Sequence, residues 1–302
     1  MMGIVIEQVC LLLAFAAVGY LLCRTKLADA KHNKILSVVC FYIFLPSKVF
    51  TTFATKFTPT YLSSYWPLLL GATVIVAVLA LAAIPVSRLL TKDPYGRNVY
   101  HYSLTISNYG YIGYALAEGI FGTDVLMDVM MFAFPVCLYT YTIGYSMLTG
   151  GKFNWKKLVN PVTASMILGA VVGLSGLQLP GPVSAFLSKA AACMSPVSML
   201  LMGMVISEYK LRDLLATWQN YVIIAMRLVV IPCVIVGLLR LLKLEMLVLP
   251  SLMVLAMPSS MNTIVFSKLM GQDSKPGAAM ALVSSLLCCA TIPLCLWIFG
   301  II

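Results

Sequence analysis

The amino-acid sequence predicts an all-α polytopic membrane protein with ten transmembrane helices, arranged as two inverted repeats of five helices. The first observation behind this fold class is composition: 61% of the 302 residues are hydrophobic, and only 20 basic and 10 acidic side chains are present. A water-soluble domain carries far more charge. The second observation is that the apolar residues form runs of spanning length, and the third is that the two halves of the chain share a pattern.

Ten apolar runs account for most of the chain. Each run is close to the roughly 20 residues of helix that cross a hydrocarbon core of about 30 Å. Runs of this length and continuity predict helices, because every backbone N–H and C=O group must be paired inside the bilayer. Runs 1 to 10 lie near residues 5–23, 35–53, 66–90, 100–121, 125–148, 159–177, 182–206, 220–242, 246–270 and 276–301.

The basic residues predict the orientation of the chain, since cytoplasmic loops collect Lys and Arg. Loops after the odd-numbered runs hold 14 of the 20 basic residues, and the opposite loops hold few. We therefore predict that both termini lie on the non-cytoplasmic side. The 14 residues are Arg24, Lys26, Lys31, Lys34, Arg88, Lys92, Arg97, Lys152, Lys156, Lys157, Lys210, Arg212, Lys268 and Lys275.

Proline and glycine patterns recur at an offset of about 150 residues, which favours an internal duplication. Pro46 in run 2 matches Pro196 in run 7, and Gly122 after run 4 matches Gly271 after run 9. Because each copy would contain five spans, the second must be inverted relative to the first, as is typical of secondary transporters. The predicted repeats are residues 1–151 and 152–302.

Runs 4 and 9 carry small, polar and proline residues near mid-bilayer depth, in segments 105–113 and 256–262. Glycine loosens a helix and proline removes a backbone donor. Polar backbone at this depth is tolerated only when it is buried in protein or lines a wet cavity. We predict two broken helices, with Gly110, Gly113 and Pro258 as hinges. The alternative is two kinked helices whose Asn and Ser side chains only join neighbouring helices.

Several motifs occur in a characteristic order along the chain. They are Asn108-Tyr109-Gly110 through Phe121-Gly122, Asn160-Pro161, Met226-Arg227 with Pro232, and Met257-Pro258 through Phe266. In this order they resemble the auxin efflux carrier family, including its bacterial members, over essentially all 302 residues. Plant members of that family have prolines where this chain has Ser107 and Asn262, and many have a long cytosolic loop that this chain lacks. We therefore leave the substrate as a small carboxylate, either a dicarboxylate or an auxin-like acid.

The resemblance implies a fold related to bile-acid/sodium symporters and sodium/proton antiporters, in which helices 4 and 9 are broken and cross. It implies a scaffold of helices 1, 2, 6 and 7, which would contain Pro46, Pro196, Asn160 and Pro161 and often dimerises. A mobile bundle would comprise helices 3 to 5 and 8 to 10. It also implies a homodimer in a bacterial inner (cytoplasmic) membrane that moves its substrate across by elevator-type alternating access.

The predicted breaks favour an anion, because free N–H groups and a partial positive charge occur where a half-helix begins. Arg227 lies inside run 8, where an arginine is costly and is a functional candidate by default. It either binds the substrate carboxylate or holds backbone carbonyls of the broken helices. Lys48, late in run 2, is expected to extend to the interface. The candidate substrate-binding residues are Asn108, Ser107, Gly110, Arg227, Pro258, Ser259 and Asn262, with Ser260 as a further donor.

Other function classes receive little support from the sequence. Two histidines and nine cysteines without a C-x-x-C pair predict no metal site and no cofactor. The net charge of +10 is spread over many loops, which argues against nucleic acid. No motif of an intramembrane enzyme is present. Because the acids fall near span ends, we expect uniport or sodium symport of the anion; a channel is a further alternative.

Overall fold

The computed structural model describes residues 2–150, 160–209 and 217–301, and every regular element in these ranges is a helix. In the first half the helices are α1 (Met2–Arg24), α2 (Ala30–Val39), α3 (Leu45–Lys56), α4 (Pro59–Leu90), α5 (Pro94–Thr105), α6 (Tyr114–Phe121), α7 (Thr123–Tyr139) and α8 (Tyr145–Thr149). In the second half they are α9 (Pro161–Ser175), α10 (Gly181–Ser207), α11 (Trp218–Ala225), α12 (Ile231–Leu241), α13 (Glu245–Leu255), α14 (Asn262–Leu269) and α15 (Lys275–Ile298). Single π-helical turns occupy Cys40–Phe44, Tyr109–Gly113, Thr140–Gly144 and Met226–Val230.

Seven helical segments in the described ranges are long and apolar enough to cross a bilayer. They are Gly3–Arg24, Asn33–Lys56, Pro59–Leu90, Thr123–Thr149, Gly181–Ser207, Trp218–Leu241 and Lys275–Ile298. These segments coincide with runs 1, 2, 3, 5, 7, 8 and 10. Run 6 gives the shorter helix α9, and runs 4 and 9 are each divided into two shorter helices. The fold is therefore that of an all-helical polytopic membrane protein.

Helix α9 begins at a capping box. The side-chain oxygen of Asn160 accepts hydrogen bonds from the backbone N–H groups of Val162 (2.9 Å) and Thr163 (3.1 Å). Pro161 occupies the first helical position, where the missing N–H costs nothing. The Asn160-Pro161 pair thus fixes where this helix starts, because it satisfies two of the N–H groups that a helix leaves free.

The helices of runs 1, 2, 6 and 7 pack on one another: α1 lies against α10, and α3 lies against α9 and α10. Glycines permit the closest of these approaches. A Cβ atom at Gly203 would lie 1.8 Å from the carbonyl oxygen of Ala16, and one at Gly19 would lie 2.0 Å from that of Leu200. The two backbones therefore touch at two places, as small residues allow between helices in a membrane.

We expect Gly203→Ala to separate α1 from α10 and to destabilise the protein by about 1–3 kcal/mol, since backbone atoms cannot yield as a side chain does. The matched control is Gly237→Ala on α12, where a Cβ atom would meet nothing within 4 Å. That control should leave the melting temperature in detergent unchanged or slightly raised, because alanine favours the helix. Equal melting temperatures for the two variants would contradict the close approach.

Several of the basic residues that predict orientation lie outside the described residues. They are Lys152, Lys156, Lys157, Lys210 and Arg212, and the predicted repeat boundary at residues 151 and 152 lies there too. The side chains of Lys31 and Lys268 are likewise outside the described part of the structure. The orientation of the termini stays a prediction from loop charge.

Candidate functional site

Runs 4 and 9 are each interrupted by a short non-helical stretch, and the two stretches lie side by side. Helix α5 ends at Thr105, and residues 106–108 are extended or irregular; α13 ends at Leu255, and helix resumes at Asn262. The backbone N–H of Asn108 donates to the carbonyl of Pro258 (2.8 Å), and Ser107 and Ser259 form an antiparallel bridge. Each break therefore supplies partners for backbone groups that the other frees, which the bilayer interior demands.

Hydroxyl groups satisfy further backbone groups where residues 106–108 and 256–261 meet, which we call the crossing. The hydroxyl of Ser107 donates to the carbonyl of Val254 (2.6 Å), while the N–H of Ser259 donates to the hydroxyl of Ser284 (3.0 Å). The N–H of Asn262 donates to the hydroxyl of Ser260 (3.3 Å). In this conformation the hydroxyl of Ser107 holds the crossing together.

Arg227 is fully buried beneath the crossing, in the π-helical turn of run 8. Its guanidinium donates to the carbonyl of Leu104 (2.8 Å), near the end of α5, and to the carbonyls of Val254 and Met257 (3.3 Å each), at the end of α13. The C-terminal ends of helices carry partial negative charge, so one cation stabilises both half-helices. Of the two roles expected for Arg227, the geometry shows that it holds the carbonyls of the broken helices.

Asn108 and Asn262 line a small cavity of about 30 Å³ at the crossing, together with Ser260 and Gly110. The Nδ2 of Asn262 donates to the hydroxyl of Tyr102 (3.1 Å). The Nδ2 of Asn108 is buried, and no described residue accepts its hydrogen bond. A buried amide donor is normally paired. Asn108 therefore presents a polar group for which the crossing supplies no partner.

A larger cavity of about 250 Å³ adjoins the small one, and both are lined by Tyr111, Tyr141 and Asn262. The remaining walls are mostly apolar and include the aromatic rings of Phe41 and Phe266. Apolar walls with a few convergent polar groups are typical of small-ligand sites, the smallest of which have volumes of about 300 Å³. The paired cavities are thus suited to a small ligand with a polar end.

Comparison with known families identifies the chain. The family model described as membrane transport protein, which is the domain of the auxin efflux carriers, matches residues 4–154 and 145–298. The chain belongs to this family. No curated protein matches the sequence closely enough to add to this finding. The resemblance seen in the motifs is confirmed, and this auxin efflux carrier family member is an integral membrane protein from a family of transporters rather than of enzymes.

The two glycines predicted as hinges lie just after the break in run 4 of this family member. Gly110 and Gly113 belong to the π-helical turn that follows Asn108. A Cβ atom at Gly113 would lie 3.1 Å from the carbonyl of Met253, whereas one at Gly110 would meet only Leu45 at 4.0 Å. Gly113 therefore lets run 4 approach α13, and Gly110 leaves space open beside the small cavity.

The position of Lys48 late in run 2 predicts a side chain that extends to the interface, but the structure shows it paired. Its ammonium group forms an ion pair with the carboxylate of Glu118 on α6. The Lys48 side chain is only 13% exposed and that of Glu118 38%. Sequence reasoning missed this pair because the two residues are 70 positions apart and each alone resembles an interfacial charge.

The aromatic lining of the larger cavity also escaped sequence reasoning. Tyr111, Tyr141, Phe41 and Phe266 belong to runs in which aromatic residues are frequent, since the chain contains 15 Tyr and 13 Phe. No spacing distinguishes a ring that faces a cavity from one that faces lipid. The acceptor of the Asn262 amide, the hydroxyl of the buried Tyr102, is equally inconspicuous in the sequence.

Proposed function

We propose that this chain is a secondary transporter that moves a small organic anion across the membrane by elevator-type alternating access. The observation that carries the proposal is the crossing itself. Two interrupted segments meet over a buried arginine, and Asn108, whose amide nitrogen has no partner in the described part of the chain, lines a cavity there. Such discontinuous helices are where transporters of this kind bind their substrates.

The charge around the crossing supports an anion. Arg227 contributes a full positive charge, and α14 begins at Asn262 with its positive dipole end towards the cavities. Within residues 2–150, 160–209 and 217–301, no acidic side chain lines either cavity. A carboxylate there would accept from the amide of Asn108 and would be attracted by Arg227, whose charge would repel a cation.

We further propose the ten-helix fold of two inverted repeats, residues 1–151 and 152–302. The helices of runs 1, 2, 6 and 7 would form the scaffold and the homodimer contact, and the helices of runs 3 to 5 and 8 to 10 the moving bundle. The packing of α1 and α3 on α9 and α10 supports the scaffold. The breaks at Asn108 and Pro258, which fall in the fourth and ninth runs, support the repeat.

In this proposal the larger cavity corresponds to the inward-facing state of the transporter. It lies beside Ser37, Val205 and Phe266, at the ends of runs 2, 7 and 9 that adjoin the basic loops. With those loops in the cytoplasm, the cavity faces inwards. At the opposite end, ion pairs Lys48–Glu118 and Lys56–Asp124 join α3 to α6 and α7. In an elevator mechanism these pairs separate when the bundle moves.

Export of an anion needs no coupling ion in this proposal. A single negative charge gains about 2.3 kcal/mol per 100 mV when it leaves a negative cytoplasm. The test is flux in proteoliposomes with dicarboxylates and aromatic carboxylic acids under a potassium diffusion potential. We expect saturable movement of at least one of these acids towards the positive side, equal with and without sodium. Stimulation by sodium would indicate symport, conductance without saturation would indicate a channel, and no flux of any acid would refute the proposal.

A further inference from the structure

A second large cavity, of about 570 Å³, lies away from the crossing and shares no lining residue with the two cavities there. It opens between the C-terminal half of α4, the first turns of α5, and the α7 to α8 region of run 5. Half of its lining residues are polar and include Arg88, Arg97 and His101, and the other half are apolar and include Leu81 and Ile143. A site of this composition fits a ligand with one charged and one apolar end.

The polar half carries two arginines and no acid. Arg88 lies in the last turn of α4 and Arg97 in the first turn of α5. The Nε of Arg97 donates to the carbonyl of Thr91 (3.0 Å), which orients the guanidinium. Among the residues that the structure describes, neither arginine forms an ion pair and no carboxylate lines the cavity. Two guanidinium groups lining a space that holds no carboxylate favour an anion, and phosphate matches their planar donors.

A buried histidine forms part of the cavity wall, and exposed apolar side chains line its open side. His101, buried in the floor, lies with its Nε2 2.8 Å from the hydroxyl of Tyr139. Leu81 is 67% exposed and Ile143 46% exposed, and both belong to helical segments long and apolar enough to cross a bilayer. The arginines stand at the end of run 3 that precedes a basic loop. The cavity thus joins a cationic end at the predicted cytoplasmic surface to an apolar groove that faces the bilayer.

We propose that this cavity binds an anionic phospholipid of the cytoplasmic leaflet. The headgroup phosphate lies between Arg88 and Arg97, and an acyl chain follows Leu81 and Ile143 towards the bilayer interior. Basic pockets between helices on the cytoplasmic side are suited to such headgroups. A free phosphate ion would satisfy the arginines but leave the apolar groove unused, so the lipid matches more of the lining. All helices around the cavity belong to runs 3 to 5.

The experiment is native mass spectrometry of the detergent-solubilised protein after exchange with phosphatidylglycerol or phosphatidylcholine. We expect retention of phosphatidylglycerol and little retention of phosphatidylcholine by the wild type. The double variant Arg88→Gln/Arg97→Gln should retain phosphatidylglycerol roughly tenfold less, because each arginine near an anionic headgroup contributes a separate attraction. The matched control is Arg240→Gln, an exposed arginine near the other end of the fold, which should behave as the wild type.

Two further ligands distinguish a lipid site from a site for free phosphate. Inorganic phosphate and glycerol phosphate, added alone, should neither remain bound nor displace phosphatidylglycerol. If they do both, the site holds a free phosphate instead of a lipid. Equal retention of the two lipids, or unchanged retention of phosphatidylglycerol in the double variant, would overturn the proposal. Should the double variant fail to fold, Arg97→Gln and Arg97→Lys are compared singly, and only the glutamine variant should lose the lipid.

Discussion

Replacement of Arg227 by methionine is expected to abolish transport and to destabilise the protein by about 2–5 kcal/mol, because each buried polar group left without a hydrogen-bond partner costs about 1–3 kcal/mol. Methionine fills similar space but leaves the carbonyls of Leu104, Val254 and Met257 without their shared donor. In the dry interior, the carbonyls of Leu104 and Met257 would then lose the side-chain donor that Arg227 supplies, and only that of Val254 would keep one, the hydroxyl of Ser107. The measurements are the melting temperature in detergent and flux in proteoliposomes.

The controls for this variant separate charge from geometry. Arg227→Lys keeps the positive charge, but a lysine ammonium cannot span three carbonyls as a planar guanidinium does, so we expect partial folding and strongly reduced flux. Arg240→Met removes an exposed arginine from α12 of the same run and should change little. A stable Arg227→Met protein with wild-type flux would show that the arginine does not hold the crossing.

Replacement of Asn108 by alanine is expected to lower the apparent substrate affinity by about tenfold or more, since a hydrogen bond to a charged group contributes about 1.5–3 kcal/mol. The same variant should be as stable as the wild type or slightly more stable. Its Nδ2 is buried without an acceptor among the described residues, so the substitution removes an unpaired polar group. The measurements are the concentration dependence of flux and the melting temperature.

Loss of affinity without loss of stability is what distinguishes a substrate ligand from a structural residue here. Asn108→Asp replaces the donor by a negative charge and should reduce the binding of an anion further than alanine does. The matched control is Asn220→Ala, a buried asparagine on α11 that lines neither cavity at the crossing. If Asn108→Ala instead unfolds the protein and spares the affinity of the folded fraction, the amide is structural.

Much of the helical layout could be predicted from hydropathy alone, because a bilayer leaves so few alternatives to helices. The seven uninterrupted helices coincide with predicted runs. The interruptions at residues 106–108 and 256–261 fall in or beside clusters of glycine, proline and serine. Each of these residue types has a free-energy cost in a helix relative to alanine. The exact position of the first break, just before the glycines of run 4, could not be read from the sequence.

The contacts between distant segments were not predictable. An asparagine within an apolar run has the same sequence pattern whether it donates to a tyrosine, as Asn262 does, or lacks an acceptor, as Asn108 does. The partner of Lys48 is a glutamate in another run. Such pairings depend on which helix faces lie against each other, and the periodicity of a uniformly apolar run does not reveal its buried face.

The sequence by itself therefore determined that the chain is a helical membrane transporter of the auxin efflux carrier family, and it located two interruptions and a costly buried arginine. Composition and residue order carry that information, because a charged side chain or an unpaired backbone group is costly in lipid wherever it occurs in the chain. Only the tertiary structure decided that the two interruptions pair, that Arg227 binds the carbonyls of both, and that Asn108 is left as a free donor. Asn108 and Pro258 are 150 positions apart, and Arg227 lies 123 positions from Leu104 and 27 from Val254. A donor finds its acceptor only when packing brings the two within hydrogen-bonding distance.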